Sequence, residues 1–176
     1  MTRQEKKQKE TIISNVEIFP WQSWQPTEKA VLCFIIQGEE VLLIHKKTGL
    51  GAGKINAPGG RIEALESPLQ AAIRETEEET GLTPQNPMQV ADLSFVFTNG
   101  YSLHTSVFLA HGFRGEAYET REALPIWINR SQLPFSEMWQ DDPYWVPYIF
   151  QNKFVTGYFI FEEDTLLSHK TTVSSL

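Results

Sequence analysis

The sequence predicts an α+β fold, an α/β/α sandwich built on one mixed β-sheet, and three observations carry that reading. Short runs rich in aliphatic, β-branched and aromatic residues outnumber the helical ones along the chain. Several of those runs are joined by turn residues at hairpin spacing. Between them lie two segments with helical punctuation, so helices must pack on the sheet rather than form a bundle of their own.

The elements follow in order. Residues 1–28 read as a polar, mixed-charge tail over residues 1–10 and an extension broken by Pro20 and Pro26, which packs through Trp21 and Trp24; residues 29–176 read as one domain. Ala30 to Ile36, the turn Gln37-Gly38-Glu39-Glu40 and Val41 to His45 form a β-hairpin. A glycine loop, Gly49-Leu50-Gly51-Ala52-Gly53, comes next. The spacing then predicts a helix over 68–80: Ser67 is its N-cap, Pro68 its first residue, Gln70 completes a capping box, and Gly81 stands just past its end. At about 100° per residue, Leu69, Ala72, Ile73, Thr76 and Thr80 share the stripe that faces the sheet. Val90 to Phe97 and Ser102 to Leu109 are strands joined through Asn99-Gly100, a dipeptide suited to a type I′ hairpin. Ile126 to Ile128 is a short strand, Pro143 to Gln151 a helix capped by Asp142, and Tyr158 to Phe161 a closing strand.

With 176 residues, 41% of them hydrophobic, the chain can bury one core without covalent staples. Its single cysteine excludes an intrachain disulfide and a cysteine zinc cluster, and Cys33, inside the apolar run Ala30–Ile36, reads as a buried core thiol. That run is the longest in the chain and falls far short of the ~20 residues that span a bilayer. Arg3, Lys6, Lys7 and Lys9 are mixed with Glu5 and Glu10, and no apolar stretch of signal-peptide type follows, so a reducing cytoplasm is the expected setting. Fifteen basic against 22 acidic residues give a net charge of −7, which repels phosphate backbones; long nucleic acids and membranes are not expected partners.

One feature of the helix carries chemistry. Glu75, Glu78 and Glu79 fall within an arc of about 100°, at the i, i+3 and i, i+4 spacings that make side chains neighbours. Two readings of that strip are open from the helix alone: a solvated acidic face, or a site for a hard divalent cation such as Mg²⁺ or Mn²⁺, which prefers oxygen ligands and bridges to substrate phosphates.

The surrounding residues bear on the choice. Gly60, five residues, Glu66, seven residues, then Arg74-Glu75-Thr76-Glu77-Glu78-Glu79-Thr80-Gly81-Leu82 resembles the Nudix box, G-x5-E-x7-R-E-U-x-E-E-x-G-U, with Thr76 where the pattern prefers an aliphatic residue. The resemblance implies a Nudix-type sandwich with the box helix packed on its central sheet. It implies Mg²⁺, or Mn²⁺, held by Glu75, Glu78, Glu79 and the carbonyl of Gly59, with Arg74 bracing the glutamates and Glu122 as a further carboxylate near the metal. The implied activity is cleavage of a nucleoside diphosphate linked to another moiety. General chemistry agrees: attack of water on a polyphosphate needs a metal to neutralise the phosphate oxygens and a carboxylate to take a proton, for which Glu75 is the favoured choice.

Over about residues 30–167 the chain further resembles the oxidised purine nucleoside triphosphatase (8-oxo-dGTP diphosphatase, MutT-like) subfamily. The matching stretches are His45 to Asn56, Phe95-Val96-Phe97, Pro134 to Trp145 and Gly157-Tyr158-Phe159. This similarity implies a nucleobase pocket of Asn56, Trp139, Asp141 and Asp142, lined by Phe95 and Phe97, with Lys46 near the phosphates. Leu50 replaces an aromatic of the animal enzymes, Ala57-Pro58 a Gly-Phe pair, and Val31 a threonine. The implied reaction is Mg²⁺-dependent hydrolysis of an oxidised purine nucleoside triphosphate to monophosphate and pyrophosphate, serving nucleotide-pool sanitation and DNA repair. Alternatives are a Nudix hydrolase for RNA 5′ ends or dinucleoside polyphosphates, and a non-catalytic ligand-binding module. Read without the resemblance, Trp139, Phe95 and Phe97 suit core packing, and Lys46 a solvated strand end. Two adjacent pocket carboxyls should not both ionise; a helix cap at Asp142 would keep that residue charged and leave Asp141 as the proton carrier. His45, His104, His111 and His169 show no metal spacing.

Overall fold

The computed structural model describes Glu5 and residues 13–176, so most of the polar tail lies outside the described residues. Strands β1 (Glu28–Gln37) and β2 (Glu40–Lys46) form the expected hairpin around Gly38, whose φ of 59° suits a residue without a side chain. Two short strands follow, β3 (Ile55–Asn56) against β2 and β4 (Gly59–Arg61) against β1. After helix α1 (Pro68–Thr80) come β5 (Thr83–Pro84), β6 (Met88–Phe97), β7 (Ser102–Ala110), β8 (Phe113–Arg114), β9 (Ala123–Asn129), β10 (Lys153–Glu162) and β11 (Thr165–Ser175).

The main sheet runs β11-β10-β6-β7-β1-β2-β3, with β4 on β1 and β9 on β2. It is mixed: β1 lies parallel to β7 and β10 parallel to β6, while the hairpin neighbours are antiparallel. One face carries the main core, in which Phe34, Leu93, Trp145, Val146, Ile149 and Phe159 are buried. The other face holds α1 through Ala71 and Ala72, which pack on Val31, Cys33 and Phe108. Burial pushes the Cys33 thiol up to about 12, so it is an inert part of that layer. Farther along, Val16, Phe19, Trp21 and Trp24 of the extension pack on Val96, Ile160 and Tyr158, with Trp21 and Tyr158 ring centroids 4.7 Å apart.

The helix forms as its punctuation requires. Ser67 accepts from the Gln70 amide, the Gln70 side chain accepts from the Ser67 amide, and Gly81 closes the end at φ 78°.

Five expectations need correction. Leu69 is exposed, and the buried face of α1 is Ala71, Ala72, Thr76, Glu79 and Thr80, because the small residues let the helix sit close to β1 and turn Glu79 inward. The Asn99-Gly100 turn is not type I′: only Gly100 has positive φ, and Thr98-Asn99-Gly100 make a three-residue loop closed by the Phe97 amide donating to the Tyr101 carbonyl. The helix expected over 143–151 is a 3₁₀ turn, Asp142–Tyr144, followed by one α turn, Val146–Ile149, since Pro143 and Pro147 interrupt the amide series. Asp142 does not cap it; its carboxylate instead accepts from the Trp139 amide at 3.0 Å, three residues back. Finally, Tyr158–Phe161 is the middle of a longer strand, and the polar β11 completes the sheet edge.

Candidate active site

The register of β1 brings the two halves of the site together. Leu32 pairs with Gly59 and Val31 with Gly60, which sets β4 beside α1. A Cβ at Gly60 would collide with the Glu75 carboxylate, so glycine there lets Glu75 lie directly against the strand backbone. Glu79 is 1% exposed; its Oε2 accepts from the Gly59 amide and its Oε1 from Lys46 Nζ, both at 2.9 Å.

Arg74 organises the next layer. Its Nε and Nη2 bind both oxygens of Glu66 at 2.8 and 2.9 Å, Nη1 reaches Glu75 at 2.7 Å and Glu78 at 3.2 Å, and Nη2 also donates to the Arg61 carbonyl. The guanidinium holds Glu66 well below the usual carboxylate range, at about 2. Burial raises Glu75 and Glu79 instead, with Arg74 and Lys46 respectively pulling them back. Glu78 is mostly exposed on the same side. As they stand, no three acidic, histidine or cysteine groups converge into a ready cage among the described residues; the chain's own cations engage the glutamates. The donors are all oxygens, two of them on carboxylates starved of solvent, a set that fits a hard divalent cation in place of those cations. Glu122 is exposed just before Ala123, the residue paired with Lys46, and its carbonyl accepts from the Lys47 amide.

A cavity of about 380 Å³ opens from this edge across the sheet. Lys46, Gly59 and Gly60 line its helix end, and Asn56, Phe95, Phe97, Trp139, Asp141 and Asp142 line the rest. Every residue singled out for the nucleobase pocket therefore faces one space. Phe95 stacks on Phe159 at 5.2 Å, Phe97 on Phe161 at 5.5 Å, and Trp139 meets Phe161 edge-on at 5.6 Å. Lys54 lies 5.0 Å over the Trp139 ring and pairs with Asp164 at 3.1 Å, fixing the tryptophan from outside. The Asn56 carbonyl oxygen accepts from the Ala57 amide, which leaves its NH₂ as the donor end.

Asp141 and Asp142 are both buried, at 2% and 3% exposure. Burial raises Asp141 to about 6, offset in part by the Trp145 indole that donates to it at 2.8 Å. Asp142 is raised further, by burial and then by the charge of Asp141. The cap expected at Asp142 is absent, and two neighbouring buried carboxyls, each raised, do not readily ionise together. Sequence reasoning also left out Glu66 as a site residue, although the box pattern contains it, and missed Trp145, Tyr101 and Thr105. The first of these three sits four residues from Asp141; the other two are polar residues in or beside an apolar strand.

The family model for the NUDIX domain matches residues 26–149. The oxidized purine nucleoside triphosphate hydrolase of Danio rerio is 39% identical over 141 residues, covering 79% of this chain and 90% of that protein. Its namesake from Mus musculus is 37% identical over 140 residues, with 78% and 90% covered. Among solved structures, the MutT protein of Bacillus halodurans superposes with a TM-score of 0.73 at 26% identity, over 82% of this chain and 97% of its own. With more than half its length matched by the family model and the box glutamates gathered against the Gly59-Gly60 strand, the chain belongs to the Nudix hydrolase family.

Proposed function

We propose that the protein hydrolyses oxidised purine nucleoside triphosphates, 8-oxo-dGTP among them, to the monophosphate and pyrophosphate, and so cleanses the nucleotide pool. The observation that carries this reading is the buried Asp141–Asp142 pair in an aromatic cavity that is continuous with the Gly59-Gly60 edge. A guanine-type edge offers N–H donors beside a carbonyl acceptor. One ionised and one protonated carboxyl match it, and the Asn56 NH₂ adds a donor. Relatives named for the same chemistry support the reading.

The residues divide the work by position. Trp139 covers one wall of the cavity, with Phe95 and Phe97 completing the apolar surround, and the Asp pair sets which edge is read. Glu75, Glu78, Glu79 and the Gly59 carbonyl are the assigned holders of Mg²⁺ or Mn²⁺, with Glu122 in an outer place. Bound there, the cation would neutralise phosphate oxygens and acidify water. Glu75 is the assigned base, because burial raises its proton affinity while Arg74 keeps it oriented. Lys46 sits where it can leave Glu79 for a substrate phosphate.

The test is a Mg²⁺-dependent assay over oxidised and ordinary nucleoside triphosphates with product identification. Preferred conversion of 8-oxo-dGTP to monophosphate and pyrophosphate is expected. Orthophosphate release, or preference for RNA 5′ ends or dinucleoside polyphosphates, would overturn the substrate reading.

A further inference from the structure

The cavity face of β7 carries Leu103, Thr105, Val107 and Leu109, alternating along the strand, and threonine is the one polar residue among them. Thr105 lines the cavity, is 3% exposed, and pairs in register with Ala30 on β1 and Leu93 on β6, neither of which has a polar side chain. Its Oγ1 has no hydrogen-bond partner among the described residues. Valine has the same shape, suits a strand equally well and carries no hydroxyl to desolvate, so packing alone favours valine here. A buried hydroxyl left without a partner opposes folding unless something else satisfies it.

We infer that Thr105 is a ligand-binding residue that reads the base, its hydroxyl hydrogen-bonding a ring nitrogen or exocyclic oxygen at the cavity floor. This deepens the proposed function and rests on the cavity being a nucleobase site. The Thr105 position differs from that of the aspartates: it belongs to the sheet floor, whereas Asp141 and Asp142 come from the 3₁₀ segment after Trp139. A hydroxyl both donates and accepts, so it tolerates either kind of heteroatom, whereas the aspartate pair fixes one pattern. The floor contact therefore adds affinity for a purine and constrains how deep it sits, while the aspartates discriminate among edges. Ala30, the small partner of Thr105 on β1, lines the same cavity, beneath whose surface the Thr105 hydroxyl lies buried.

The test titrates wild-type protein, Thr105→Val and Thr105→Ser with 8-oxo-dGMP, dGMP, dAMP and dTMP by calorimetry in the absence of metal, and measures the melting temperature of each ligand-free protein. For whichever nucleotide binds tightest, Thr105→Val should weaken binding about 3- to 10-fold, the range of one neutral hydrogen bond. Thr105→Ser should keep most of the affinity, and the ligand-free melting temperature of Thr105→Val should equal or exceed that of wild type. Unchanged affinity in Thr105→Val overturns the inference. So does a lower melting temperature accompanied by equal losses for all four nucleotides, which would make the hydroxyl structural. If dTMP or dAMP binds tightest and Thr105→Val still loses affinity, Thr105 stands and the oxidised-purine reading falls. If 8-oxo-dGMP binds tightest and Thr105→Val matches wild type, the reverse holds. Binding of none of the four overturns both.

Discussion

At the helix end of the site, half-buried Glu75 and buried Glu79 lie beneath cations of the chain itself, Arg74 at 2.7 Å and Lys46 at 2.9 Å. At the far end of the same cavity, Asp141 and Asp142 are buried with an indole and a backbone amide for company, and Lys54, whose charge eases the burden on Asp142, is already paired with Asp164. Desolvation acts on both pairs, but it is answered differently. Positive groups stand over the glutamates and favour their charged form, which makes the place exchangeable: another cation can take over. At the aspartates burial and mutual charge favour a proton, which would turn one acceptor into a donor. A carboxylate cluster is thus tuned for metal or for base recognition by whether a cation or a proton compensates it.

The comparison breaks most visibly at Glu79. Glu79→Gln removes the charge that Lys46 offsets and that the proposed metal needs, while keeping an acceptor for the Gly59 amide or for Lys46, though not for both in full. Turnover should fall by roughly 100-fold or more, with a stability loss of about 1–3 kcal/mol from the disturbed buried pair. Steady-state kinetics and calorimetry separate the two effects. Near-normal turnover would remove Glu79 from the machinery and with it the distinction between the two ends.

The aspartate end should respond less in rate and more in selectivity. Asp141→Asn and Asp142→Asn should each lower kcat/KM for 8-oxo-dGTP by roughly 10- to 100-fold, because a site built for hydrogen bonds is left with mismatched buried groups. The wild-type kcat/KM should decline at high pH as the shared proton is lost. Equal, wild-type-like kinetics in both variants would reduce the pair to a turn-stabilising element.

Much of this was legible in the sequence, for a physical reason. Ser67, Pro68, Gln70 and Gly81 act within a few residues of themselves, so α1 could be bounded from local chemistry, and the spacing of Glu75, Glu78 and Glu79 needed only the helical period. What was not legible depends on contacts distant along the chain. The inward turn of Glu79 comes from β4, twenty residues away, and from Lys46 on β2. Strand β11 is mostly polar and exposed, and its long antiparallel register with β10 holds it in the sheet. Asp142-Pro143 has the composition of a helix cap, whereas the backbone there makes a 3₁₀ turn and sends the carboxylate back to the Trp139 amide.

Metal addition gives a smaller effect that again separates the ends. A cation that binds only the folded protein stabilises it by mass action, by about 2.7 kcal/mol at a concentration 100 times its dissociation constant. Mg²⁺ should therefore raise the melting temperature by a few degrees. Glu79→Gln should lose most of that response, whereas Asp142→Asn should keep it whole. An equal shift in all three proteins would indicate ionic screening instead of a site.

The smallest effects are in the pH dependence of stability, where Asp142 and Glu66 should show opposite signs. Asp142 has a folded-state pKa above its unfolded value, so its contribution is intact below about pH 4 and is lost as the pH rises through the folded value. Asp142→Asn cannot ionise, and its stability relative to wild type should therefore climb from about pH 4 until the pH passes the raised folded-state value. Asp141, at about 6, should make the wild-type curve bend within that window. Glu66 is the opposite case: Arg74 depresses its folded-state pKa to about 2, so its contribution is present above the unfolded value and is lost as the pH falls through 2. Glu66→Gln should thus be most destabilising near neutrality and approach wild type in acid. Denaturant titrations of the three proteins from pH 3 to pH 9 give both difference curves. Curves of the same sign would mean that cation and proton do not divide the two ends of the cavity between them, because a carboxyl held by Arg74 and one held by its own proton must respond to pH in opposite directions.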